Sequence, residues 1–107
     1  MKVVLAERRL PQEPSRLQEL VALSKTLGHE VVGTLKQVKK PNPAYYIGKG
    51  KAEELAELVK STGAERVIFG NALKPSQAFK LETLTGVEII DRWGVSGVVN
   101  LQILERG

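Results

Sequence analysis

The 107-residue chain has no cysteine, a single histidine, a single tryptophan and only 5% aromatic residues. Without cysteine there are no disulfides, zinc knuckles or thiol chemistry. A lone histidine, His29, leaves no partner for a histidine-based metal site and reads as an exposed residue of a helix-to-strand turn. No apolar run approaches the roughly 18 residues that cross a bilayer, and Met1-Lys2 leads into a strand-like run rather than a signal peptide. These absences point to the cytoplasm and away from membranes. Serine–histidine–carboxylate triads, paired catalytic carboxylates and metal clusters have no candidates, so no catalytic and no metal-binding residue is assigned.

A further absence is local. Residues 31–52 contain no acid but hold five lysines, Lys36, Lys39, Lys40, Lys49 and Lys51. The chain carries 16 basic and 12 acidic groups, which leaves 11 and 12 for the other 85 residues. The entire excess of +4 therefore resides in this stretch. A lysine-rich segment can be a solvated loop or a polyanion contact, and its place in the fold separates the two.

What is present is a weak repeat. Gly28-His29-Glu30, Gly63-Ala64-Glu65 and Gly86-Val87-Glu88 each follow a helical pattern and precede a short β-branched run. Glycine ends a helix cheaply, and the apolar runs read as buried strands. With 2–6 as the first strand, the order is β-α-β-α-β-α-β. The predicted fold is a single α/β domain, a four-stranded parallel sheet flanked by helices. The first helix places Leu17, Leu20, Val21, Ser24 and Leu27 on one face, and Ser15-x-x-Gln18 reads as its capping box. The second presents Ala52, Leu55, Leu58, Val59 and Thr62, with Glu53 and Glu54 in its first turn. The third begins at Pro75 and runs through Ala78, Leu81 and Thr85.

In such sheets, binding groups gather beyond the carboxyl ends of the strands. Those ends lead into Arg8-Arg9, residues 36–51, Gly70-Asn71-Ala72-Leu73-Lys74 and Asp91-Arg92-Trp93. One edge thus collects the unpaired basic character and favours a polyanion. Gly48-Lys49-Gly50-Lys51 is not a Walker-type loop: the upstream spacing differs and no hydroxyl follows Lys51 to hold magnesium. Its glycines either turn backbone N–H groups toward an anion or form a plain turn with Gly50 as helix cap. Strand alternation turns one of Tyr45 and Tyr46 inward and the other outward, where a base can stack on it. Asp91-Arg92 reads as a local ion pair fixing its turn. Phe79 falls off the apolar stripe of its helix, which predicts a partner surface or contact with the C-terminal segment. That segment, 93–107, is apolar all round through Val95, Val98, Val99, Leu101, Ile103 and Leu104, and predicts self-association or the start of a linker.

The run Asn42-Pro43-Ala44-x-Tyr46-Ile47-Gly48-Lys49-Gly50-Lys51-x-Glu53-Glu54-Leu55 closely resembles a signature of the HflX family of ribosome-associated GTPases. Leu73-x-Pro75-Ser76-Gln77, Leu81-Glu82, Val87 and Asp91-Arg92 follow in family order. The resemblance implies that 1–92 is an N-terminal α/β domain that works against ribosomal RNA of the large subunit. It implies a helical linker and a separate G domain in the complete protein, with GTP and magnesium expected only there and no cofactor in this chain. The RNA- or anion-binding residues are then Lys39, Lys40, Tyr46, Gly48, Lys49, Gly50 and Lys51, with Arg8, Arg9, Lys74 and Arg92 along the same edge. Lys74 stands where the family usually has serine, Phe79 where a basic residue is common and Asn71 where an acid is common. After Arg92 the family's linker pattern gives way to Trp93-Gly94-Val95-Ser96-Gly97. Two readings from other classes stand beside this one: a nucleotide- or phosphate-binding domain, and a dimeric protein-interaction module.

Overall fold

The glycine punctuation holds in three dimensions. Gly28, Gly63 and Gly86 have φ of 86°, 70° and 76°, the left-handed region where a side chain is strained. The computed structural model describes residues 1–91. Among these the elements are β1 (Lys2–Arg9), α1 (Leu17–Thr26), β2 (Glu30–Val38), α2 (Lys49–Thr62), β3 (Arg66–Phe69), α3 (Pro75–Thr85) and β4 (Glu88–Ile90). The strands form one parallel sheet in the order β2-β1-β3-β4. Arg92 and the segment 93–107, with the self-association expected of it, lie outside the described residues.

Alternation along β1 supplies both cores. Val4 and Ala6 face a cluster with Ala52, Leu55 and Val59 of α2 and Leu81 of α3. Val3 and Leu5 face Leu20 of α1 together with Ile68. A strand covered on both faces needs an unbroken apolar run, and β1 has one in Val3-Val4-Leu5-Ala6. The chain leaves β1 toward β2 on one side and returns to β3 on the other. The crevice between the carboxyl ends of β1 and β3 is therefore the topological switch point.

Three local expectations change. First, β1 extends to Arg9 because it pairs with β2 as far as Arg9 opposite Val38, so Arg8 and Arg9 belong to the strand rather than to a loop beyond it. Second, Ser15 makes no capping box. Its Oγ donates to Glu7 Oε1 at 2.8 Å, and Glu7 Oε2 accepts the Arg16 N–H at 2.6 Å. The buried carboxylate of Glu7 needs donors and takes them from the start of α1, doing the work of a cap from a neighbouring strand. Third, α2 starts at Lys49 with Gly48 as N-cap, so Gly50 is inside the helix and the first turn has no acid.

At the opposite, amino edge, His29 is half-buried rather than exposed. Its Nδ1 is closed off from solvent without a hydrogen-bond partner. Burial, then the charges of the chain's amino group and of Arg66, hold its pKa below the ordinary 6.5. A depressed imidazole pKa means that the unfolded chain takes up the proton first as pH falls. Its contribution to stability is therefore full above pH 6.5 and declines below it. Urea midpoints compared at pH 8 and pH 5.5 should fall more for the wild type than for His29→Asn.

Candidate nucleic-acid interface

The loop at residues 39–48 is a closed turn, not the extended run that alternation assumed. Asn42 and Tyr46 exchange both backbone hydrogen bonds at 2.9 Å. Asn42 Oδ1 accepts the N–H groups of Ala44 and Tyr45 at 2.8 and 3.1 Å, the turn-forming habit of asparagine. Tyr46 occupies φ 68°, a conformation a bulky residue adopts only when its surroundings impose it. As a result both tyrosines are half-buried and pack on the α2–α3 core, and neither projects freely.

The imposition comes from below. Arg8, only 7% exposed, lays its guanidinium 4.9 Å from the centre of the Tyr46 ring. It donates from Nη2 to Tyr46 Oη at 3.1 Å and from Nη1 to the Lys39 carbonyl at 2.6 Å. The edge of Phe69 meets the same ring, with centroids 6.3 Å apart. Tyr46 is thus a brace, its ring already occupied by Arg8. Arg8 in turn holds the loop instead of presenting a surface charge. Gln77, 4% exposed, fastens the loop's far side. Its Nε2 donates to the Asn42 and Pro43 carbonyls at 3.2 and 3.3 Å. Its Oε1 accepts the Lys74 N–H at 2.9 Å, which supplies the half of a capping box that a lysine N-cap cannot.

What the brace exposes is the start of α2. The Gly48 N–H donates to Gln37 Oε1 at 2.8 Å. A Cβ at Gly48 would lie 3.1 Å from Gln37 Nε2 and 3.6 Å from Lys39 Nζ, so the glycine keeps room for both side chains. The N–H groups of Lys49, Gly50 and Lys51 have no intrahelical acceptor, as at any helix start, and no side chain caps them. Lys39, Lys40 and Lys49 are exposed. Lys51 is partly committed to Glu54, 2.8 Å away.

The remaining basic candidates are divided. Lys74 is exposed at the N-cap of α3. Arg9, next to Arg8 on β1 and so on the opposite face, is tied by Nη1 to the Leu10 and Glu13 carbonyls at 3.4 and 3.0 Å. It borders a cavity of about 250 Å³ with Glu7, Arg16 and Asn71 at the switch point. Asn71 closes the end of β1: its side-chain amide accepts the Arg8 N–H and donates to the Arg8 carbonyl at 2.9 and 2.8 Å, as a strand neighbour would. Asp91 Oδ2 accepts the Leu73 N–H at 2.9 Å. Gln37 and Gln77 hold the loop without a role having been read for them from sequence, and Asn71, noted there only as a departure from the family pattern, closes the strand end. Gln77 lies within a recognisable motif, but its long-range bonds have no local pattern.

The fold is in class a doubly wound α/β domain with a braced, cationic turn at its carboxyl edge. Residues 14–96 match the family described as "GTP-binding GTPase N-terminal", and the chain belongs to that family, as an HflX N-terminal domain. It is 40% identical over 93 residues to the GTPase HflX of Thermococcus kodakarensis, covering 87% of this chain and 21% of that protein. It is 44% identical over 80 residues to the GTPase HflX of Escherichia coli, covering 74% of this chain and 19% of that protein. The chain thus spans about a fifth of the length of these curated relatives. Among solved structures it resembles a GTP-binding protein from Sulfolobus solfataricus in complex with GDP, with a TM-score of 0.59 and 24% identity over 82% of this chain and 27% of that one. A G235S variant of SsGBP gives a TM-score of 0.65 at 21% identity, over 85% and 30%. At these identities the structural likeness concerns the fold.

If Arg8 braces the loop, its loss should be felt as stability. Arg8→Ala should cost about 2–3 kcal/mol in urea unfolding, because it strips a charged donor from two acceptors and a cation from a ring. Arg8→Lys should recover little, since one ammonium cannot reproduce the fork.

Proposed function

We propose that this domain is the RNA-contacting module of an HflX-type GTP-binding protein and holds phosphates of large-subunit ribosomal RNA at its carboxyl edge. The observation that carries the reading is the convergence at Gly48. The Lys39 ammonium lies beside the uncapped, positive end of α2, with Lys49 exposed at the first helical position. Like charges gathered without a counter-ion raise the energy of the free domain, and a phosphate relieves that repulsion. Lys40 and Lys36 extend the positive field along the loop and strand, and Lys74 extends it to α3.

Within this reading Arg8, Tyr46 and Gln77 act as positioning residues that keep the turn in shape. Gly48 and Gly50 allow the backbone to approach the phosphate. GTP and magnesium belong to other parts of the relatives' longer chains, and the ribosome places the domain in the cytoplasm. No helix among the described residues is long and apolar enough to cross a membrane.

Binding of large ribosomal subunits to the charge-reversed pair Lys39→Glu/Lys49→Glu tests the reading across a salt series. Affinity should fall at least about tenfold at low salt, and the salt slope should shrink by roughly 1.4–1.8 for two lost phosphate contacts. Lys51→Ala should do less, since Glu54 already holds that ammonium. An unaltered affinity and slope in the reversed pair would refute the proposal. Stabilisation by free nucleotide or phosphate, without RNA binding, would favour the small-molecule reading instead.

A further inference from the structure

The braced loop does not account for α3. This helix turns Leu81 and Gln77 inward, with Ala78 packed against the core. Its outward residues are Ser76, Phe79, Lys80, Thr83 and Leu84, with Lys74 and Pro75 at its start. Phe79 is 69% exposed, the most exposed large apolar side chain among the described residues. No exposed acid interrupts this face. The one acidic residue of the helix, Glu82, is half-buried, and its carboxylate accepts the Ile89 N–H at 3.3 Å. The surface is therefore an aromatic ring between cations.

The helix itself begins at the basic edge, with Lys74 at its N-cap. Gln77, two residues before Phe79, is bonded to the Asn42 and Pro43 carbonyls of the loop. Two residues turn an α-helix by about 200°, so Phe79, about 3 Å further along the axis than Gln77 and about 7.5 Å beyond Lys74, points away from the loop that Gln77 holds. The neighbours of Phe79 one turn away also limit the partner. A protein groove that receives a helix takes apolar anchors at i, i+3, i+4 and i+7. Here Phe79 has Pro75 and Ser76 four and three residues before it, and Glu82 and Thr83 three and four after it, so its one apolar neighbour a turn away is the proline at the helix start. A single flat ring flanked by hydroxyls and ammonium groups suits a single flat ligand with anions beside it.

We propose that the outward face of α3 is a stacking platform for an unpaired RNA base, with Phe79 against the base and Lys74 and Lys80 at the adjoining phosphates. The inference rests on the RNA reading above and adds to it a preference for single-stranded or looped RNA. A base inside a duplex has both faces covered by its neighbours, whereas an unpaired base offers a π-face to an aromatic side chain. The ring faces the base, and Lys74 at the N-cap joins this face to the basic edge.

The test uses the 107-residue chain with two fluorescein-labelled probes, a 12-nucleotide oligouridylate and a 12-base-pair RNA duplex, read by anisotropy. Phe79→Ala should weaken single-strand binding about tenfold, leave the duplex affinity unchanged, and leave the salt slope as in the wild type. Phe79→Tyr should restore the single-strand affinity, because it restores the ring. Phe79 is exposed, so its truncation leaves the core intact, and a melting curve for each variant checks this. Equal single-strand affinity for Phe79→Ala and wild type overturns the platform. If that result comes with weakened binding in Lys39→Glu/Lys49→Glu, the RNA reading stands and only the platform falls. If neither variant differs from wild type, both fall.

Discussion

The carboxyl edge of the domain depends on one buried cation. Arg8 projects from β1 into the space beneath residues 39–48, where it meets a backbone carbonyl, a phenol oxygen and the face of the same ring. A guanidinium removed from water is costly unless its hydrogen bonds are supplied, so the loop is drawn onto it as much as it is drawn into the loop. That mutual requirement explains the left-handed Tyr46. In that sparsely populated conformation the ring meets Arg8 and Phe69 and the hydroxyl accepts from Arg8 Nη2.

From that contact the rest of the edge follows. With the loop closed by Asn42 and latched by Gln77, the chain enters α2 at a fixed angle and Gly48 becomes its N-cap. Gln37 takes the Gly48 N–H, while the next N–H groups face solvent beside Lys39. The cations of the sequence thus divide by depth. Arg8 is structural, Arg9 is tied to its own loop, Lys51 is half-neutralised by Glu54, and Lys39, Lys40 and Lys49 remain available. A count of basic residues cannot make this division, because it depends on which acceptors happen to be within reach.

The same logic recurs at the other helix starts. The start of α1 is held by Glu7 from the sheet with Ser15 between them, and that of α3 by Gln77 reaching back to Lys74. Orphan N–H groups donate to any suitably placed oxygen: the buried Glu7 carboxylate takes the Arg16 N–H, and Ser15 Oγ, itself donating to Glu7, takes the Leu17 N–H. The family membership of the chain is consistent with this economy. Long-range polar side chains, few in number, hold the loops of a small domain in place.

The order of elements, the parallel sheet and most of the inward faces were legible in the sequence. Their causes are local: helix-ending glycines with positive φ, Pro75 at a first helical position, β-branched runs too short to be helices, and a 3.6-residue stripe through Ala52, Leu55 and Val59. The concentration of lysines before and within the first turn of α2 was equally plain, since charge is additive along the chain. Strand ends, caps and the fate of each cation were not. Those are set by pairing between β1 and β2, by the buried Glu7 carboxylate, and by Arg8 finding Tyr46 from 38 residues away. Sequence by itself determined which elements form and where the positive charge accumulates, because both depend on near neighbours. Only the tertiary structure decided that Tyr46 is a brace, that Arg8 is interior and that Phe79 stands in the open, because side-chain burial is a property of what packs against a residue.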